Sequence, residues 1–169
     1  GISFSTKQAK WLMGDDWKMA YTSLLDDMSI KRVRVMSYWD DIEPSKGEYD
    51  YSDLDWLFGE AEKRNVDVVL ALGLRQPRWP ECHEPEWAKQ MNYSAEWEIK
   101  LNNFITKTVE RYKNRSSVVS WQLENESKLK TFGDCNELTL NPPRIEKEFL
   151  VLPSDEKRKT SWIKESLQD

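Results

Sequence analysis

What most constrains this chain is a change of hydrophobic period that recurs along its first 123 residues. Residues 31–37 (KRVRVMS) alternate and are rich in β-branched types, which fits a strand. Residues 66–72 (VDVVLAL) form a short, nearly continuous apolar run, as expected of a strand covered on both faces. Residues 118–123 (VVSWQL) read as another strand, and residues 1–5 (GISFS) as a short one. Between the strands the apolar residues fall at helical spacing. The stripes are Trp17, Tyr21, Leu24, Leu25 and Met28; then Leu54, Leu57, Phe58 and Ala61; then Trp97, Leu101, Phe104, Ile105, Thr108 and Tyr112. Asp15 or Asp16, Ser52 or Asp53, and Ser94 are the expected helix N-caps.

Strand and helix alternating at this spacing means βαβ units, a parallel sheet and right-handed crossovers. An open doubly wound sheet and a section of a (β/α) barrel both satisfy that pattern. No glycine-rich phosphate loop follows any strand, and the GLRQP segment after residue 72 lacks the glycine spacing of a dinucleotide site. Long, Trp-rich loops after the second, third and fourth strands favour the barrel, whose sites are built from such loops. Pro77, Pro80 and Pro85 keep the loop after the third strand irregular. Asn141-Pro142-Pro143 is a break, and residues 144–152 can form one more helix. The closing EKRKTSWIKESLQD has no apolar run longer than Trp162-Ile163, so no strong fifth strand is expected. The expected fold is α/β: a parallel (β/α) barrel of TIM type, incomplete, holding about the first four βα units in one partial domain over residues 1–169. Half a barrel leaves two sheet edges and an inner face open, which proteins avoid. A homodimer closing one barrel, or a longer parent chain, would relieve that exposure.

Composition narrows the function classes. The net charge is −5, and Lys and Arg are interleaved with Asp and Glu, so a nucleic-acid surface is not expected. Nine Trp, six Tyr and five Phe in a chain with 33% charged residues argue for a folded core rather than disorder. No apolar run approaches the roughly 20 residues of a membrane span. One His and two Cys do not make a zinc site of the usual type, and neither a metal nor a cofactor is expected. Gly1 in place of an initiator Met is compatible with a removed leader.

The sharpest chemical element is Asn125-Glu126, directly after the fourth strand. Glycosidic cleavage needs a carboxylic acid to protonate the leaving oxygen and a second carboxylate across the ring. A Glu at the C-terminal end of a barrel strand is well placed for the first role. An exposed loop Glu is the plain alternative.

Around that dipeptide the sequence resembles glycoside hydrolase clan A, the cellulase-like and β-galactosidase-like TIM-barrel glycosidases. The resemblance is carried by Arg34, Trp39, Glu43-Pro44, Gly47 and Tyr49-Asp50, by PRWPECHEPEWA in the third loop, and by ERYKNRSSVVSWQLENE leading to the acid/base strand. It runs from about Gly1 to Leu138, leaving residues 139–169 atypical. It implies a retaining glycoside hydrolase acting on a β-linked oligo- or polysaccharide, located outside the cell or at its envelope. Glu126 would be the general acid/base, Asn125 would hold the sugar 2-hydroxyl, and Arg34 would support the nucleophile electrostatically. The clan's nucleophile is a Glu of the seventh strand, and no residue here matches its motif. Ser127 stands where relatives usually carry Pro. A catalytically inactive carbohydrate-binding remnant is the alternative.

Further residues have two readings each. Arg34 alternates with Val33 and Val35, so it faces the barrel interior if they face the helices, either in function or in a structural ion pair. Trp39 and Trp79 lie in loops at the presumed active face, where they could stack on sugar or simply pack. Trp17, Trp56 and Trp97 have core spacing, and Trp121 could be either. His83 could contact a sugar hydroxyl or bond backbone. Cys82 and Cys135 follow adjacent strands and could form a disulfide or remain thiols.

Overall fold

A computed structural model describes residues 1–77 and 82–123. The elements run β1 (Ile2–Phe4), α1 (Thr6–Met13), a 3-10 turn at Gly14–Asp16, α2 (Trp17–Asp27), β2 (Arg32–Met36), α3 (Trp39–Ile42), α4 (Ser52–Lys63), β3 (Asp67–Leu72), α5 (Glu86–Lys89), α6 (Ala95–Tyr112) and β4 (Val118–Leu123). The four strands form one parallel sheet in the order β1-β2-β3-β4.

Register sorts the side chains. Val33 pairs with Val68 and Val35 with Leu70, and all four are buried on the face that meets the helices. There they join Trp17, Tyr21 and Leu25 of α2, Leu54, Leu57 and Phe58 of α4, and Trp97, Leu101, Phe104 and Tyr112 of α6 in one core. Helices from successive crossovers thus cover the same face, and the strand order never reverses. That is the arrangement of a barrel section; a doubly wound sheet would put helices on both faces and reverse its order at a switch point. The other face carries Ser3, Arg34, Val69, Ser120 and Gln122 in register, and a small cluster of Met36, Tyr38 and Ala71. Val68 pairs with Val118 but Val69 with Ser120, so Val119 is an extra residue in β4.

Several local expectations are corrected. A helix, α1, precedes the one read from the Trp17 stripe, and Ser5 caps it by accepting a hydrogen bond from the Gln8 N–H at 3.2 Å. Asp16 flanks α2 without a side-chain cap. At α4 neither Ser52 nor Asp53 caps; Asp50 accepts from the Ser52 N–H at 2.8 Å instead. Ser94 does cap α6, accepting from the Trp97 N–H. The proposed helix over 144–152 lies outside the described residues. Among the described residues no helix is long and apolar enough to cross a membrane.

The helix layer is tied by ionic contacts as well as packing. Asp55 of α4 accepts from the Tyr112 hydroxyl at 2.8 Å and from Arg111 of α6. Burial pulls the Asp55 carboxyl upward, but the Arg111 and Tyr112 hydrogen bonds outweigh it and hold it below the usual carboxylate range. Such a group stabilises the fold above its unfolded pKa, and the contribution is lost as pH falls through the depressed folded value. Asp55→Asn is therefore expected to destabilise the chain at pH 7 and to match the native chain near pH 2, by urea unfolding at both pH values. Phe58 is fully buried and stacks on Tyr112 at 4.4 Å, so Phe58→Ala should cost about 3–5 kcal/mol in the same measurement at neutral pH.

Candidate active site

The loops at the C-terminal ends of the strands are held by buried polar groups. Glu43, only 2% exposed, is the centre of the second loop. Its Oε2 accepts from Trp39 Nε1 and its Oε1 from the Gly47 N–H, both at 2.8 Å, while its carbonyl accepts from Trp87 Nε1 at 2.9 Å. Gly47 has φ of +88°, a conformation that glycine adopts freely. The Glu-Pro and Gly of the sequence motif thus build a loop, and Glu43 is structural.

Trp39 changes role accordingly. It opens α3, is fully buried, stacks on Phe104 and meets Trp87 and Trp97 edge-on. A ring packed on these sides has no face for a sugar, which corrects the expectation of a stacking platform. Trp17 and Trp97 are core residues, and Trp56 and Trp121 pack partly buried against the core. Glu84 is buried too and accepts from Trp97 Nε1; burial raises its carboxyl above the usual range.

Arg34 lies on the face opposite Val33 and Val35. Its Nε donates to Ser3 Oγ and its Nη1 to Gln122 Oε1, both at 2.9 Å, so three strands are joined across the inner face. Both partners are neutral, so these contacts form no structural ion pair. Beyond β3, Gln76 is buried with its amide nitrogen donating to the Gly73 carbonyl at 2.9 Å. Arg75 bridges Cys82, and the His83 N–H reaches the Leu74 carbonyl at 3.3 Å, closing the neck of the third loop.

His83 stands beside the second loop. Its ring meets Tyr38 edge-on at 4.4 Å, and its Nδ1 is 3.8 Å from Asp40 Oδ2. Lys7 Nζ lies 3.0 Å from the same Asp40 oxygen, and the Tyr38 hydroxyl pairs with Ser5 Oγ at 2.7 Å. Cys82 is disulfide-bonded. Trp79, Asn125, Glu126 and Cys135 lie outside the described residues. Sequence reasoning missed Ser5, Lys7, Tyr38, Asp40 and Gln122. Their position at or just beyond strand ends was the available signal.

The comparisons with known proteins agree with this architecture. The family model for glycoside hydrolase family 42, described as β-galactosidase, matches residues 10–99. The chain belongs to this family. β-Galactosidase BgaA of Clostridium cellulovorans is 29% identical over 121 residues, covering 61% of this chain and 18% of BgaA. The cold-adapted β-galactosidase of Rahnella sp. R3 superposes with a TM-score of 0.60 at 17% identity, over 79% of this chain and 21% of that one. An exo-β-1,4-mannosidase from Opitutaceae bacterium strain TAV5 gives the same TM-score and identity over 79% of this chain and 26% of its own. These structures establish the TIM-barrel glycosidase fold, and the chain spans less than a fifth of the length of its curated relatives.

The Glu43 knot has a measurable consequence. Glu43→Ala leaves the Trp39 indole N–H buried without an acceptor and should cost about 1–3 kcal/mol in urea unfolding. Glu43→Gln keeps one acceptor oxygen and should cost less.

Proposed function

We propose that the chain supplies the acid/base half of a retaining glycosidase that hydrolyses β-linked galactosides. The observation that carries the reading is the family match over 10–99, on a four-stranded parallel sheet whose last strand ends at Leu123, three residues before Glu126 in sequence. The substrate class follows the relatives' description as β-galactosidases.

In this mechanism Glu126 protonates the departing glycosidic oxygen, then removes a proton from the water that releases the sugar. Asn125 holds the 2-hydroxyl, where hydrogen bonds strengthen as the oxocarbenium-like transition state forms. Arg34 projects a cation from the inner face of β2, where it favours the negative charge of a carboxylate nucleophile. That nucleophile comes from strands beyond this chain. Trp79 offers an apolar surface to a sugar ring, and His83 a contact to a hydroxyl. The Cys82 disulfide closes on Cys135, joining the third loop to the segment after Glu126.

Hydrolysis of an aryl β-D-galactoside with a poor leaving group, by the barrel completed with its remaining strands, tests the assignment. Glu126→Gln should lower kcat/KM by about 10²–10⁴-fold, the usual contribution of general acid/base catalysis. A Glu126→Gln enzyme as fast as its parent would sink it.

A further inference from the structure

The open end of the sheet holds a polar cluster that the proposed chemistry touches only through His83. Lys7 comes from α1, Tyr38 and Asp40 from the segment after β2, and His83 from the third loop. The Asp40 carboxylate lies between a cation and the imidazole, with Oδ2 3.0 Å from Lys7 Nζ and 3.8 Å from His83 Nδ1. Lys7 is shared with Asp41 at 2.6 Å. Burial pulls the Asp40 carboxyl up, but His83 and Lys7 outweigh it and keep it below the usual range. Burial likewise disfavours the Lys7 ammonium, yet Asp41 and Asp40 hold it charged.

The imidazole is fixed on several sides. Its ring sits edge-on to Tyr38, whose hydroxyl is itself pinned to Ser5, and its carbonyl accepts from the Asp40 N–H at 3.3 Å. The nitrogen nearest the carboxylate is Nδ1. Among the described residues Nε2 makes no hydrogen bond, while the side chain keeps 20% of its surface exposed. Asp40 Oδ1 is buried with no donor, so this carboxylate has accepting capacity to spare.

A neutral imidazole carries one N–H and one acceptor nitrogen, and a neighbouring carboxylate draws the proton to the nearer of the two. We propose that Asp40 is a positioning residue that holds His83 as the Nδ1–H tautomer, so that Nε2 accepts a hydrogen bond from a hydroxyl of the bound sugar. The separation of 3.8 Å closes to a hydrogen bond with a small movement of either side chain, as polar contacts in unliganded sites commonly do. The sugar half of this inference rests on the glycosidase reading; the tautomer half does not.

His83 is the only histidine in the chain, so its two ring nitrogens give a single pair of signals in a ¹⁵N-labelled sample. At about pH 8, above the ordinary histidine range, two-bond ¹H–¹⁵N correlations should show the Nδ1–H form in the native chain. Asp40→Asn should shift the population toward Nε2–H, and Asp41→Asn, which leaves Asp40 in place, should not. Methyl β-D-galactoside should displace the native Nε2 signal and bind several-fold more weakly to Asp40→Asn. A native chain mainly in the Nε2–H form overturns the inference without any variant, as does an Asp40→Asn chain with the native tautomer. Indole fluorescence that responds to the sugar while Nε2 does not overturns the sugar contact and leaves the glycosidase reading standing. Silence from both counts against that reading and the contact together.

Discussion

The period of two along β2 puts Val33 and Val35 against the helices and leaves Arg34 and Met36 to the opposite face. Parallel pairing carries that division to β3, where Val68, Leu70 and Leu72 follow the valines. The division commits the apolar side to a closed core and frees the other side for polar groups. Arg34 is affordable there because Ser3 and Gln122 meet its guanidinium, and because the residue it passes on β3 is as small as Val69. A guanidinium among Leu70 and Phe58 would have no such partners.

The loops above the sheet obey a different constraint. They are short of regular hydrogen bonding, so buried side chains substitute for it. Glu43 serves two donors from its carboxylate and a third from its carbonyl, and Trp97 is anchored by Glu84. Motif residues that look catalytic by type, a glutamate and tryptophans in active-face loops, are here the framework. Among the described residues the buried side chains with an oxygen that accepts no hydrogen bond are Asp40 and Gln76, neither of which stands out in the sequence.

Local period made the core strands and α6 legible, because their apolar residues repeat in phase with the sheet and helix they build. It failed at α1, where only Thr6 and Ala9 are buried and Trp11, Leu12 and Met13 are exposed, so no apolar stripe exists to be read. The orientation of Arg34 followed from its valine neighbours. The burial of Trp39 did not, since it depends on Phe104 and Trp97 of α6, some sixty residues on. The meeting of Lys7, Asp40 and His83 is likewise a product of two helices, α1 and α3, converging with the third loop, and no window of sequence contains it. Family membership was legible through motifs whose physical work proved to be largely loop building.

The extra residue in β4 sets the phase of everything after it. With Val119 looped out of register, Ser120 and Gln122 share a face with Val69 and Ala71, and Trp121 lies level with Leu70. Removing Val119 would leave those pairs unchanged and make the ladder regular, so Gln122 would stay on the inner face and Arg34 would keep its acceptor. A frame-preserving deletion at the bulge removes only the spare residue, whereas one at Trp121, in the evenly paired run from Ser120 to Leu123, turns the following side chains to the opposite face. β4 therefore tolerates a loss of length at Val119 and not beyond it.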